Sequence, residues 1–317
     1  MKISLITPAN KQQRNGNRTS AIRWARFFKE NGHQVRIDVE YTNEPADLMV
    51  ALHAWRSSTA VNRYRERYPN GPLIVALGGT DVNTFLRSDP KVTLATMEQA
   101  DALVSLHDCM KDSLPLRFHR KLHVVKQSAK PLPAPRRPTS RYFDICVIGH
   151  LREEKDPFRT ALAARMATRS SRLRVVHMGK AHSPEWSAQA ESEMLINPRY
   201  IWKGDMPNWR VRREFARTHL MVISSKQEGG ANVVSEAIVA GVPIIASNIP
   251  GNIGLLGPNY PGYYPVQNET ALAAILERAE THPTFLYDLT LYGASLRRTF
   301  LADKEAAGWQ HVIKLVT

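Results

Sequence analysis

The chain has 317 residues, a net charge of +14, 43% apolar residues and 23% charged ones. That length holds two domains of ordinary size or one large one, and the apolar content is ordinary for a globular protein. No apolar run is long enough to span a bilayer, and the two cysteines, Cys109 and Cys146, lack metal-ligand spacing.

Met1 to Pro8 reads as a strand followed by a breaker, not a secretory signal. Cys146 falls in an apolar strand and reads as packing, the histidines are scattered, and a reducing cytoplasm is the expected compartment. The excess positive charge suits nucleic acid, an anionic membrane surface or small anionic ligands. The chain carries no zinc-finger, basic-zipper or aromatic RNA-binding signature, its positive residues are spread among acids, and small anions suffice as partners.

In chain order, a strand over 2–6 precedes a helix over 19–30, whose apolar face includes Ile22, Ala25 and Phe28 and which stops at Gly32. Strands are predicted over 35–37, 48–52, 73–77, 102–106 and 122–125. Pro131, Pro133, Pro135 and Pro138 then interrupt any helix or central strand, marking an interdomain linker. A second alternation follows. Strands are predicted over 144–148, 174–178, 200–202, 220–223 and 243–246, and helices over 157–167 and 185–195. Beyond Tyr264 the pattern is helical over 270–279, 285–297 and 302–315. The fold class is therefore α/β, with two Rossmann-like parallel-sheet domains and a ligand cleft between them. The expected boundaries are 1–133, 134–300 and a C-terminal helix, 301–317, packing back towards the first domain.

The most informative stretch runs from Ser224 to Ala237 and contains Glu228-Gly229-Gly230-Ala231-Asn232 and, eight positions after the first glutamate, Glu236. It lies between strand 220–223 and strand 243–246, so Glu228 falls at a strand's carboxyl end, where parallel sheets bind ligands. Gly229-Gly230 argues for a turn, with Glu236 one turn into the following helix. Free amides of Gly230, Ala231 and Asn232 would then form an anion site. Two acceptors for sugar hydroxyls around a diphosphate cradle fit a nucleotide-sugar; a plain surface turn with an exposed helical glutamate is the competing reading.

Each half has a loop after its first strand. In the second half, Gly149 to Pro157 places Lys155 just before a helix with Pro157 in its first turn. A leaving nucleoside diphosphate needs a metal or cations to neutralise it. The chain has no Asp-x-Asp motif, so cations would serve, and no metal or cofactor is expected. In the first half, Asn10 to Ser20 contains Gly16, which allows close backbone approach. With Arg14 and Arg18 this loop reads either as an oxyanion pocket or as a flexible basic loop. His53, Gly78-Gly79, Thr80 and Asp81 lie at two further strand ends. Gly78-Gly79 suggests backbone near a ligand, and His53 and Asp81 suit acid–base work, although a lone histidine at a strand end is more often structural.

On these residues the chain resembles the two-Rossmann-domain glycosyltransferases of GT-B architecture that carry an E-x7-E motif. The resemblance implies that Glu228 meets the donor sugar, Glu236 the ribose, and Lys155 the diphosphate. His150 stands where the family has an arginine, and Arg152 substitutes for it. Several phrases more closely resemble the selenosugar synthases of selenoneine biosynthesis: Gly16-Asn17-Arg18, Arg23-Trp24-Ala25-Arg26, Ala51-Leu52-His53-Ala54, Gly79-Thr80-Asp81, Gln127-Ser128-Ala129, Gly149-His150-Leu151-Arg152, Glu228 to Ala237, Ile249-Pro250-Gly251 and Tyr260-Pro261-Gly262-Tyr263. That resemblance implies transfer from UDP-N-acetylglucosamine or UDP-glucose to selenophosphate, giving a 1-selenosugar, UDP and phosphate. It places the acceptor on Gly16, Asn17 and Arg18, with His53, Thr80, Asp81, Gln127 and Ser128 nearby. An ordinary transferase acting on a glycan or lipid hydroxyl, a UDP-sugar epimerase and a nucleic-acid-binding protein are the alternatives. No nucleic acid partner and no stable membrane association are expected; oligomeric state is not legible.

Overall fold

The structure, a computed structural model, describes residues 1–12 and 16–317. By its internal contacts the chain divides into two compact units. One comprises Met1–Ser128, Gly229–Asn232 and Ala302–Thr317; the other comprises Ala129–Glu228 and Val233–Leu301.

In the first unit, β1 (Lys2–Ile6), β2 (Gln34–Asp38), β3 (Leu48–Leu52), β4 (Leu73–Ala76), β5 (Ala102–Ser105) and β6 (Leu122–Val124) form one parallel sheet in the order β2-β1-β3-β4-β5-β6. Every residue of β3 is buried, as its unbroken apolar run Leu-Met-Val-Ala-Leu requires of a strand covered on both faces. The covering helices include α1 (Gly16–Glu30), α2 (Ser58–Arg67), the single turn α3 (Leu86–Ser88) and α4 (Pro90–Gln99). On one face Trp24, Phe27 and Phe28 of α1 pack with Trp309, Val312 and Ile313 of the C-terminal helix over Leu5, Val50 and Val104. On the other, Tyr41, Tyr64 and Met97 cover Ile6, Met49 and Val75.

In the second unit, β7 (Phe143–Ile148), β8 (Leu173–Met178), β9 (Tyr200–Trp202), β10 (Leu220–Ile223), β11 (Ile244–Ser247) and β12 (Tyr263–Tyr264) form a second parallel sheet, ordered β12-β11-β10-β7-β8-β9. Its helices are α5 (Arg159–Arg165), α6 (Pro184–Ile196), α7 (Asn208–Arg217), α8 (Asn232–Ala240), α9 (Pro250–Leu256), α10 (Glu269–Thr281) and α11 (Pro283–Leu296). The C-terminal helix of the first unit is α12 (Ala302–Val316). Among the described residues no helix is long and apolar enough to cross a membrane.

The prolines lie in a stretch, 125–142, with no helix or strand. There Arg136 donates to the carbonyls of Phe215 (3.1 Å), Thr218 (2.5 Å) and His219 (3.2 Å), which straps this stretch to the second unit. The helix expected to start at Pro157 begins instead at Arg159. A 3-10 turn, Glu153–Lys155, ends at Asp156 in a left-handed conformation (φ +44°), and the chain must leave that conformation before an α-helix can start.

Candidate active site

Strand order reverses in the second sheet between β7 and β10, since the chain runs outward from β7 through β8 to β9 and then returns to β10. Loops beyond the carboxyl ends of such a strand pair form a ligand crevice. They are Gly149–Lys155 and Ser224–Glu228. A small pocket there is lined by Gly149, His150, Lys155, Ser224 and Ser225. Lys155 Nζ forms an ion pair with Glu228 Oε1, and Ser225 Oγ donates to the same oxygen at 2.6 Å. Ser224 Oγ donates to the carbonyls of Lys155 (3.1 Å) and Asp156 (2.9 Å), which joins the two loops. Ser247 Oγ donates to Ser225 O at 2.6 Å. Gly251 lies so close to Glu228 that a Cβ there would sit 2.5 Å from its carbonyl oxygen. The loop is therefore built to hold one carboxylate in place. Sequence reasoning named Lys155 and Glu228 in separate roles; the structure joins them directly.

The β7 loop is cationic, but His150 in it and His177 of β8 beside it are not. Arg152 shares the turn with Lys155, its Nε 3.9 Å from Glu154 Oε2. Lys180 N–H donates to His150 Nδ1 at 3.1 Å, so the neutral ring of His150 carries its proton on Nε2. Burial, then the neighbouring His182 and Arg152, push the His150 pKa down to about 4. Burial likewise pushes His177 down to about 4; its Nε2 donates to Gly149 O at 3.0 Å. The fixed positive charge near this strand end therefore comes from arginine and lysine, Arg152 and Lys155 among them, and not from histidine. Glu236 lies one turn into α8, half-buried, as the spacing predicted.

Gly229, Gly230, Ala231 and Asn232 group with the first unit, not with the 134–300 segment that the sequence suggested. The cause is close approach. A Cβ on Gly229 would collide with the backbone of Gly79, and one on Gly230 (φ +116°) with Leu106. Asn232 Oδ1 accepts from Arg23 at 3.0 Å. Gly230 and Ala231 amides donate to no backbone carbonyl among the described residues.

The first sheet reverses between β1 and β3, and Gly16, Asn17, Arg18 and His53 follow those two strands. Arg14 lies outside the described residues. His53 Nε2 is 3.4 Å from Asn17 Oδ1, and Nδ1 is 3.2 Å from Asp81 Oδ2. Asp81 is fully buried and accepts from the amides of Ala54 (2.9 Å), Trp55 (3.0 Å) and Gly78 (2.8 Å). Burial opposes its charge, but His53 and these amides hold its pKa below the usual carboxylate range. Its oxygens are thus occupied. Gly78 lacks a side chain because the His53 ring fills that space, and Gly79 faces Gly229. These contacts, not a ligand, account for the glycine pair. Thr80 Oγ1 is buried with no hydrogen-bond partner among the described residues.

Gln127 and Ser128 have structural partners. Gln127 Nε2 donates to Ser20 Oγ at 2.6 Å, and Ser128 donates to Glu305 Oε2 through both N (2.6 Å) and Oγ (2.5 Å). Glu305, Arg23, Ser225 and Gly251 went unassigned in the sequence. Arg23, Ser225 and Gly251 lie in stretches that the sequence singled out, whereas nothing there pointed to Glu305.

The architecture is that of a glycosyltransferase. Sucrose-phosphate synthase from Thermosynechococcus elongatus superimposes with a TM-score of 0.80 at 15% identity, over 99% of this chain and 98% of that one. Anabaena HepE in complex with UDP gives 0.77 at 13% identity, over 99% and 100%. A Xenopus tropicalis relative, Glycosyltransferase 1 domain-containing protein 1, is 22% identical over 267 residues, 76% of this chain and 77% of its own length. The family model described as Glycosyl transferases group 1 matches residues 133–293, just over half of the chain, and the chain belongs to that family.

Proposed function

We propose that the chain is a metal-independent glycosyltransferase that moves the sugar of UDP-N-acetylglucosamine or UDP-glucose to selenophosphate in selenoneine biosynthesis. The observation that carries the donor half is the Lys155–Glu228–Ser225 cluster at the reversal point of the second sheet, with Glu236 one helical turn beyond. HepE, a structural neighbour, has been solved with UDP and with UDP-glucose.

Lys155 and Arg152 neutralise the diphosphate as it leaves, when stabilisation counts most. The amides of Gly230, Ala231 and Asn232 donate to it. Lys155 has three N–H donors, so it can keep Glu228 while meeting a phosphate oxygen. Glu228 orients the sugar and Glu236 accepts from the ribose. On the acceptor side, Gly16, Asn17 and Arg18 hold selenophosphate. Its selenium attacks the sugar C1, and the C1–O bond to the diphosphate breaks, releasing UDP. Phosphate is lost afterwards, leaving the 1-selenosugar. The close phrase resemblance supports this acceptor, and so does a loop suited to a small multiply charged anion.

Mass spectrometry of products from UDP-N-acetylglucosamine and selenophosphate tests the reading. A selenium-bearing sugar should form with the wild type. With Arg18→Ala the selenophosphate KM should rise at least tenfold, by roughly the worth of one charge-assisted contact, while UDP affinity stays constant. Turnover with a sugar or lipid hydroxyl and none with selenophosphate would assign the chain to the ordinary hydroxyl-acceptor transferases.

A further inference from the structure

Resting on the selenophosphate reading above, the chemistry has two steps with different proton needs. Attack by an anionic selenium on the sugar transfers no proton. Loss of phosphate adds water across a Se–P bond, and that water must shed one.

His53 is built to receive it. It follows β3 at the reversal point of the first sheet, where ligands gather. Its backbone has φ +74°, a left-handed conformation that non-glycine residues seldom adopt and that clusters at functional sites. The ring occupies the space of the missing Gly78 side chain. Two described partners face it. Asp81, in the turn after β4, is the charged one, 3.2 Å from Nδ1. Asn17, the second residue of α1 and neighbour of Arg18, is 3.4 Å from Nε2. Asp81 cannot swing away, because three backbone amides hold its oxygens. The contact of Nε2 with Asn17 Oδ1 is loose enough for a water to replace; with the Asp81 carboxylate on the Nδ1 side to stabilise a proton there, Nε2 can then accept one at the start of α1.

We propose that His53 is the proton acceptor for the water that removes phosphate from the seleno-glycosyl intermediate, with Asp81 as its positioning residue. A water proton passes to His53 Nε2 as the water oxygen bonds to phosphorus. The Se–P bond breaks and its electron pair stays on selenium, giving the selenolate and free phosphate. The proton then returns from Nε2 to selenium or to solvent. Nothing is oxidised or reduced.

The test compares UDP release with phosphate release for wild type, His53→Asn and Asp81→Asn, with unenzymatic selenophosphate decay subtracted. Asparagine is chosen at position 53 because it tolerates φ above zero. In the wild type the two products should appear together. In His53→Asn, phosphate release should fall about a hundredfold relative to UDP release, the low end for a lost general base. A sugar bearing both selenium and phosphate should then accumulate by mass spectrometry, and added imidazole should restore its breakdown. Asp81→Asn should slow phosphate release and move its pH profile, which a merely structural role would not do. Equal release of both products in His53→Asn overturns the proposal, as does parallel loss of both in a folded His53→Asn that still binds UDP. Absence of UDP release in the wild type with selenophosphate removes the acceptor reading itself, and the proposal with it.

Discussion

Glu305 on α12 and Glu228 after β10 each lie against a basic side chain, yet their oxygens are occupied very differently. Glu305 is buried to 1% exposure. Arg23 Nε (3.1 Å) and Trp24 Nε1 (2.8 Å) donate to Oε1, and the Ser128 amide and hydroxyl donate to Oε2. Glu228 accepts from Lys155 and from Ser225, both on Oε1, and its Oε2 has no hydrogen-bond partner among the described residues. A carboxylate with every lone pair matched is a clamp, and it fastens α12 to α1. A carboxylate held firmly by one oxygen keeps the other able to accept from a ligand. Paired charge alone does not mark a site; unused hydrogen-bonding capacity on a rigid group does.

Substitution at each glutamate tests that contrast. Glu305→Ala leaves Arg23, Trp24 and Ser128 donors buried without their acceptor. It should cost about 3–5 kcal/mol of stability, read from denaturant unfolding. A loss below 1 kcal/mol would show that α12 is not fastened there. Lys155→Ala should instead lower turnover about a hundredfold to a thousandfold, while the folded protein keeps its unfolding midpoint within a few degrees. Chelation by EDTA should leave the wild-type rate unchanged; a loss restored by magnesium or manganese would transfer the neutralising role from Lys155 to a metal. Gly229→Ala is the gentler probe, because the turn can shift. Its Cβ meets the Gly79 backbone, so it should destabilise by roughly 1–3 kcal/mol. A neutral effect on thermal unfolding would contradict the close packing of that turn.

The parallel sheets were legible because their strands are short apolar runs between breakers, as in Leu48–Leu52 and Leu220–Ile223. Lys155 and Glu228 stood out because each follows such a strand at a short spacing, and the structure pairs them. What stayed hidden depends on distant partners. Ser128 read as an acceptor contact, and nothing near it in sequence shows that its two donors meet Glu305, 177 positions away. Gly78-Gly79 read as ligand-facing, yet one glycine makes room for His53 and the other for Gly229. Helices α2 and α7 escaped because so few apolar residues mark their buried faces, Ala60, Val61 and Tyr64 in one and Val211 and Phe215 in the other, amid many arginines. The short α9 begins Pro-Gly, a pair that reads as a turn.

Calorimetry of UDP with the wild type and Glu236→Ala tests the donor assignment most directly. Wild-type protein should bind UDP. Glu236→Ala should bind it about ten- to a hundredfold more weakly, corresponding to about 1.5–3 kcal/mol for a hydrogen bond to a charged group. Equal UDP affinity in the two proteins would remove Glu236 from the nucleotide site, and no UDP binding by the wild type would contradict a UDP-sugar donor altogether.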